Sequence, residues 1–290
     1  MSSMSNKQKA VFYIICSAFF FALMNMFVKM SGDLPSIQKS FFRNFVAFFF
    51  ALFILLRSKE GFSFQKKNLP VFFGRAIFGT LGILCNFYAV DHLLLSDASI
   101  LNKLSPFFAI VCSFFILKEK ISPIQGTAVA IAFCGAILVV KPGFAVAGAL
   151  TPSLIGVMGG FCAGAAYTLV RVLGQRGERG PFIVLFFSAF SCIVTLPFLL
   201  FDFHPMTAAQ TITLLLAGLS AAGGQFTITA AYTHAPAREV SVFDYTQIVF
   251  AAGLGFLFFH QIPDFFSIIG YCMISGVAVW MFLYNNRNRQ

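Results

Sequence analysis

The two stretches that decide the fold are residues 92–108, HLLLSDASILNKLSPFF, and residues 234–250, HAPAREVSVFDYTQIVF. A shift of about 142 residues superimposes one on the other and pairs His92 with His234 and Phe108 with Phe250. Polar residues are scarce in this apolar chain, so their recurrence at equivalent positions indicates an internal repeat.

The same shift extends the repeat along the whole chain. Further matches at this spacing are Phe19 with Phe161, Val28 with Val170, Lys29 with Arg171, Gly32 with Gly174, Phe45 with Phe187, Gly82 with Gly224 and Ser99 with Ser241. We therefore predict two related units, residues 1–142 and residues 143–290.

The composition predicts a membrane protein. Hydrophobic residues make up 59% of the 290 residues and charged residues 10%, and the mean hydropathy is +0.86. Average soluble proteins carry about 25% charged residues. The high hydrophobicity excludes a disordered chain, and seven cysteines scattered without a CxxC motif argue against a disulfide scaffold.

Ten apolar runs predict an all-α membrane protein with ten transmembrane helices, since each span needs roughly 20 residues. The runs are residues 10–30, 36–56, 70–92, 97–117, 123–140, 153–174, 182–201, 208–232, 239–260 and 263–284. Each unit contains five of them. Because five is odd, the second unit enters the membrane from the opposite side, which gives two inverted-topology repeats suited to alternating access.

The distribution of Lys and Arg predicts the orientation. Most of these residues fall in loops that share one side with the N-terminus, whereas the opposite loops hold mainly Asp. We therefore expect both termini in the cytoplasm and the chain in the cytoplasmic (inner) membrane. The net charge of +10 reflects this bias, and no nucleic-acid partner is needed to explain it.

Three ionisable residues lie well inside the predicted spans: Arg43, Lys103 and Asp244. A charge at this depth is costly, so each is expected to face a cavity or a partner. The repeat matches Asn102 with Asp244 and Lys103 with Tyr245, which brings two polar pairs across the pseudo-two-fold axis. We predict a midplane substrate site there. The alternative is a Lys103–Asp244 ion pair that only locks the halves together.

Other polar side chains on the first, third, sixth and eighth spans are candidates for the same site. They are Asn25, Asn86, Tyr88, Tyr167, Gln225, Thr229 and Tyr232. Hydrogen bonding between helices is the alternative role for each. Arg43 is ambiguous, because it lies near the outer end of its span and could extend to the interface. Lys29 and Arg171 are expected at the interface.

Pro106 on the fourth span lacks an N–H and predicts a kink beside Lys103. Ile248 occupies the equivalent position, so we expect no kink in the second unit. The sequence has no GxSxG, HExxH, Walker A or GxGxxG motif, and its four histidines lack metal-ligand spacing. We expect neither an enzyme nor a cofactor or metal site.

The chain resembles the EamA-type transporters of the drug/metabolite transporter superfamily. The resemblance rests on residues 89–140, with Asp97, Ala98, Pro106, Glu119, Gly126 and Gly135, and on residues 230–270, with Tyr245, Pro263, Asp264 and Gly270. The second copy departs at Ile248 and Gln261. The resemblance implies a central cavity lined by the first, third and fourth spans and by the sixth, eighth and ninth.

The resemblance extends to a branch with organic-anion, amino-acid and S-adenosylmethionine carriers. We therefore expect a secondary transporter in the lipid bilayer that moves a small anionic or zwitterionic metabolite, with Asp244 as a candidate carrier of a coupling proton. An efflux carrier for amino acids or drugs is one alternative, and a non-transporting receptor or assembly protein is another. The oligomeric state stays open.

Overall fold

The computed structural model describes residues 6–58, 62–116, 118, 123–140, 149–234 and 241–287, and within these ranges it contains helices and no strands. The first half contains α1 (Asn6–Met30), α2 (Ser36–Arg57), a 3₁₀ helix (Lys66–Asn68), α3 (Leu69–His92), α4 (Leu95–Asn102), α5 (Ser105–Ile116) and α6 (Pro123–Val140). The second half contains α7 (Leu150–Gln175), α8 (Gly180–Phe201), α9 (Ala208–His234), a second 3₁₀ helix (Ser241–Tyr245), α10 (Thr246–Phe259) and α11 (Phe265–Arg287).

The predicted ten-span, all-helical fold is confirmed. Seven described helical segments are long and apolar enough to cross a membrane, and three shorter apolar helices supply the remaining spans. Large apolar side chains cover the outside of the bundle, for example Phe115 and Val249, each 71% exposed. An apolar exterior of this extent suits contact with lipid.

The helices pack in a pattern with two-fold pseudosymmetry. α1 packs mainly against α9, and the equivalent pair in the inverted order, α7 and α3, packs in the same way. The self-equivalent pairs are α2 with α8 and α6 with α11. Contacts of α5 with α7 likewise correspond to contacts of α10 with α1. This is the arrangement expected of two inverted repeats.

The fourth span is interrupted beside Lys103, where the proline predicts a kink. α4 ends at Asn102 and α5 begins at Ser105, and the N–H of Leu104 bonds to the oxygen of Leu101 in a tighter turn. Pro106 contributes to the break because it has no N–H to donate to Asn102.

The ninth span is irregular at the equivalent level, where the 3₁₀ helix ends at Tyr245 and α10 begins. The expectation that only the first unit is distorted is therefore wrong. Ile248 has a backbone N–H, so a proline is not required for the irregularity in this half of the chain.

Two lysines hold the end of α3 that the charge distribution predicts to be the outer one. Lys29 Nζ donates to the main-chain oxygens of Val90 and Leu93 at 2.7 Å each, so it caps the end of α3. The buried Lys39 pairs with Asp91, with 2.6 Å between Nζ and Oδ1. Both residues of this pair lie near the outer ends of the predicted spans, 36–56 and 70–92. The side chain of Arg171, the repeat counterpart of Lys29, lies outside the described part.

Candidate functional site

A cavity of about 110 Å³ lies between the two halves of the bundle. This volume accommodates several water molecules or part of a small solute. Its lining includes most of the polar residues singled out from the sequence. They are Asn25, Arg43, Asn86, Asn102 and Lys103 from the first half, and Tyr167, Gln225 and Asp244 from the second.

Two predicted site residues with described side chains, Tyr88 and Tyr245, are not among this lining. Tyr88 stacks on His92, with 4.1 Å between ring centroids, and does not line the cavity. It lies two positions from Asn86 on α3, and residues two apart point to different faces of a helix. The hydroxyl of Tyr245 contacts the main chain of Lys103, as described below. The side chains of Thr229 and Tyr232 lie outside the described residues.

Lys103 and Asp244 form an ion pair across the two halves. Lys103 Nζ donates to Asp244 Oδ2, and the side chains are 8% and 18% exposed. The second carboxylate oxygen of Asp244, Oδ1, is buried and has no hydrogen-bond partner in the described part of the chain. The predicted pair therefore exists, and it keeps one free acceptor beside the cavity that both residues line.

The helix break places Lys103 at the cavity wall. Lys103 follows the last residue of α4, and its N–H bonds to the oxygen of Ser99. Its own main-chain oxygen accepts the hydroxyl of Tyr245 at 3.1 Å. Tyr245 thus satisfies a backbone group at the break, as neighbouring side chains do in interrupted membrane helices.

Arg43 lies in the cavity wall and does not extend to the interface. It is only 4% exposed, and its Nη1 donates to the Oδ1 of Asn44 at 2.6 Å. The guanidinium carbon lies 6.0 Å from the centre of the Phe187 ring. Burial at this level rules out the alternative in which the side chain reaches headgroups or water.

Arg75 is a cavity residue that the sequence reasoning missed. It lies on α3, six residues after Leu69, and its guanidinium carbon is 4.3 Å from the centre of the same Phe187 ring. Its Nε and Nη1 are buried and have no hydrogen-bond partner among the described residues. The available signal was a lone arginine inside the third apolar run, the same signal that selected Arg43.

Asn25 and Asn86 join α1 to α3 at the cavity. The amide nitrogen Nδ2 of Asn86 donates to Oδ1 of Asn25 at 3.2 Å, and both side chains are buried. The Oδ1 of Asn86 has no partner in the described structure. The hydrogen bond between helices is compatible with the cavity position, so it does not exclude Asn86 from the predicted site.

The lining is positively charged overall. Its described ionisable side chains include three cations, Arg43, Arg75 and Lys103, and one carboxylate, Asp244. An excess of cations in a low-dielectric site favours anionic ligands. No group of three or more His, Cys, Asp or Glu side chains able to hold a metal ion occurs among the described residues.

Comparison with known proteins agrees with this architecture. The model of the EamA-like transporter family matches the chain twice, at residues 8–141 and 151–283. The pseudopaline exporter CntI of Pseudomonas aeruginosa strain UCBPP-PA14 is 33% identical over 274 residues, which cover 94% of this chain and 95% of that protein. Human solute carrier family 35 member G1 is 24% identical and is covered to 77%, against 92% of this chain.

A chain of known crystal structure superimposes with a TM-score of 0.64 and 15% identity, covering 97% of this chain and 99% of the other. At that identity the likeness supports the fold alone. The relatives named above are transporters and not enzymes, and the family model matches each half of the chain once. The protein is therefore a member of the EamA-like transporter family.

Proposed function

We propose that the protein is a secondary transporter that carries a small anionic or zwitterionic organic metabolite across the cytoplasmic membrane by alternating access. The observation that carries the proposal is the Lys103–Asp244 ion pair, which joins the two halves at a cavity with excess positive charge. Inverted repeats that rock about such a site expose it to each side in turn.

The ion pair suggests how binding is linked to movement. Lys103 and Asp244 come from opposite halves, so a solute that replaces part of their contact changes what holds the halves together. A solute carboxylate competes with Asp244 for Lys103, and a solute amine competes with Lys103 for Asp244. Differential contacts of this kind are what a ligand needs to shift a conformational equilibrium.

Export is the direction that we propose. Two relatives at 33% identity are pseudopaline exporters, which supports outward movement of the solute here. Protonation of Asp244 removes the negative charge that attracts a solute ammonium group, so a proton and the solute compete for this residue. Mutual exclusion is the basis of antiport, in which inward proton movement drives the solute outward.

Transport by purified protein in proteoliposomes tests this function. Metabolite pools are screened for exchange with and without a pH gradient, and the active solute is then used with the variants Lys103→Ala and Asp244→Asn. Both variants should insert but lose transport. Lys67→Ala and Asp202→Asn, which change exposed residues, are matched controls and should retain it.

Full transport by both cavity variants would show that Lys103 and Asp244 are not part of the solute site. If transport by the wild type does not depend on the pH gradient, the proposed coupling proton is excluded, but the proposed solute site is not. Stabilisation by a solute without any transport would instead favour the receptor interpretation.

A further inference from the structure

The cavity contains a second charged region, which is built around the ring of Phe187 on α8. Arg43 from α2 and Arg75 from α3 both approach this ring, at 6.0 Å and 4.3 Å from its centre. Two positive charges that approach the same ring repel each other. Two cations that share one aromatic ring need a source of stabilisation beyond the ring itself.

No carboxylate in the described part of the chain pairs with either arginine, since Asp244 pairs with Lys103. Neither arginine takes part in the described ion pairs, and Arg43 donates to the neutral amide of Asn44. Nε of Arg43, together with Nε and Nη1 of Arg75, is buried without a hydrogen-bond partner among the described residues. Buried donor atoms of a cation are costly when they lack partners, so an anion from outside the chain would stabilise them.

Gly79 holds the Arg75 guanidinium in this place. A Cβ atom at position 79 would lie 1.9 Å from Nη1 of Arg75 and 2.9 Å from the Phe187 ring. The guanidinium therefore lies along its own helix, over the glycine, and is confined by the ring. A planar group fixed in this way is suited to bidentate recognition of a carboxylate.

Stacking on phenylalanine does not by itself indicate a ligand site. Arg57, at the far end of α2, also stacks on a ring, with its guanidinium carbon 4.5 Å from the centre of Phe53. Arg57 is exposed, whereas the unpaired donors of Arg43 and Arg75 are buried at the cavity. This contrast makes Arg57 a control for the experiment below.

Unpaired acceptors occur elsewhere in the same cavity lining. Oδ1 of Asp244 and Oδ1 of Asn86 are buried and have no partner in the described ranges. Both accept hydrogen bonds and neither donates one when Asp244 is ionised. A solute that satisfies the whole lining therefore needs N–H groups as well as negatively charged oxygens.

We propose that Arg43 and Arg75 form a carboxylate-binding subsite, and that the transported solute is an amino polycarboxylate with two or more carboxylates and at least one N–H group. The inference rests on the proposed transport function and specifies its substrate. The Lys103–Asp244 pair is neutral overall, so the two arginines leave two positive charges for the solute to balance. A solute with one carboxylate and one protonated amine has no net charge and offsets neither of them, whereas each carboxylate in excess of the amines offsets one.

Thermal stabilisation of the purified protein by three compounds of similar size tests the proposal. L-glutamate has two carboxylates and an amine, L-glutamine has one carboxylate and an amine, and glutarate has two carboxylates and no amine. At millimolar concentrations, glutamate should raise the melting temperature most. In parallel, a metabolite extract separated by anion exchange at neutral pH should stabilise the protein through its strongly retained fractions.

Variants then assign the effect to the subsite. Arg75→Gln should raise the half-saturating concentration of the stabilising compound by about ten-fold or more, which corresponds to about 1.4 kcal/mol. Arg75→Lys keeps the charge but not the planar guanidinium with its paired donors, so its half-saturating concentration should lie between those of the wild type and Arg75→Gln. Gly79→Ala should weaken binding with Arg75 still present. The controls Arg57→Gln and Gly276→Ala, the latter with open space around its Cβ position, should match the wild type.

The outcomes separate the two proposals. Stabilisation confined to unretained, neutral fractions, or glutamine acting as well as glutamate, would overturn the subsite while leaving transport intact. Unchanged binding in Arg75→Gln would also overturn it. Stabilisation by retained fractions that the three small compounds do not reproduce would support a larger polycarboxylate. If no fraction stabilises the protein, the proposed transport function and the subsite both fail.

Discussion

Lys39 and Asp91 form an ion pair in which the lysine is completely buried, with 2.6 Å between Nζ and Oδ1. Nζ of Lys39 also donates to the main-chain oxygen of Gly32 at 2.7 Å. The pair ties the start of α2 to the end of α3. Its repeat counterparts are Pro181 and Thr233, so the sequence provides no equivalent ion pair in the second half.

Asp91→Asn should lower the melting temperature strongly, because it leaves Lys39 charged and without its carboxylate. Breaking one side of a buried pair costs about 3–5 kcal/mol in soluble proteins. The double variant Lys39→Met, Asp91→Asn should recover much of the loss, since it leaves no unpaired charge. Thermal unfolding in detergent measures both. A single variant as stable as the wild type would show that the pair contributes nothing to stability.

Tyr245→Phe and Tyr271→Phe should affect the protein differently, although each removes one hydroxyl from a contact with the fourth span. The Tyr245 hydroxyl bonds to the Lys103 oxygen at the helix break, so we expect slower transport when it is removed. The Tyr271 hydroxyl bonds to Ser96 Oγ at 2.8 Å and to Asp97, so its removal should mainly reduce stability, by about 1 kcal/mol. Proteoliposome transport and melting temperature distinguish the two. Equal transport rates would argue against a positioning role for Tyr245.

Glu178→Ala should loosen the start of α3. The Oε1 of Glu178 accepts hydrogen bonds from Asn68 Nδ2 at 2.6 Å and from the main-chain N–H of Gln65 at 3.0 Å. Asn68 is fully buried, and an unsatisfied buried group costs about 1–3 kcal/mol. Hydrogen exchange followed by mass spectrometry should show faster exchange around Gln65 than in the surface control Lys67→Ala. Identical exchange in the two variants would contradict this role.

The sequence was sufficient to predict the number of spans and the residues of the ion pair. Lipid requires long apolar helices, so the spans are visible as apolar runs. Lys103 and Asp244 stand out because charges inside such runs are rare. The repeat added that they come from opposite halves, which no single span could show.

The remaining features depend on contacts between residues distant in the chain. Lys39 lies close to the predicted end of a span, where a basic residue usually marks orientation, and only packing shows that it is buried. Arg75 is detectable as a lone arginine inside the third apolar run, but only packing shows that its Nε and Nη1 are buried at the cavity. Tyr88 was predicted to share the site with Asn86, although the helical period alone places the two side chains on different faces of α3. The irregularity before α10 has no proline to predict it.

Gly164→Ala should destabilise the protein, whereas Gly253→Ala should leave it unchanged or stabilise it slightly. A Cβ atom at position 164 would lie 2.7 Å from both the Cβ of Phe108 and the main-chain oxygen of Ser105, where α7 crosses α5 just after the helix break. At position 253, on an exposed face of α10, nothing lies within 4 Å, and alanine favours a helix by up to about 1 kcal/mol over glycine. Melting temperatures that shift in opposite directions would support close packing at Gly164, and equal shifts would contradict it.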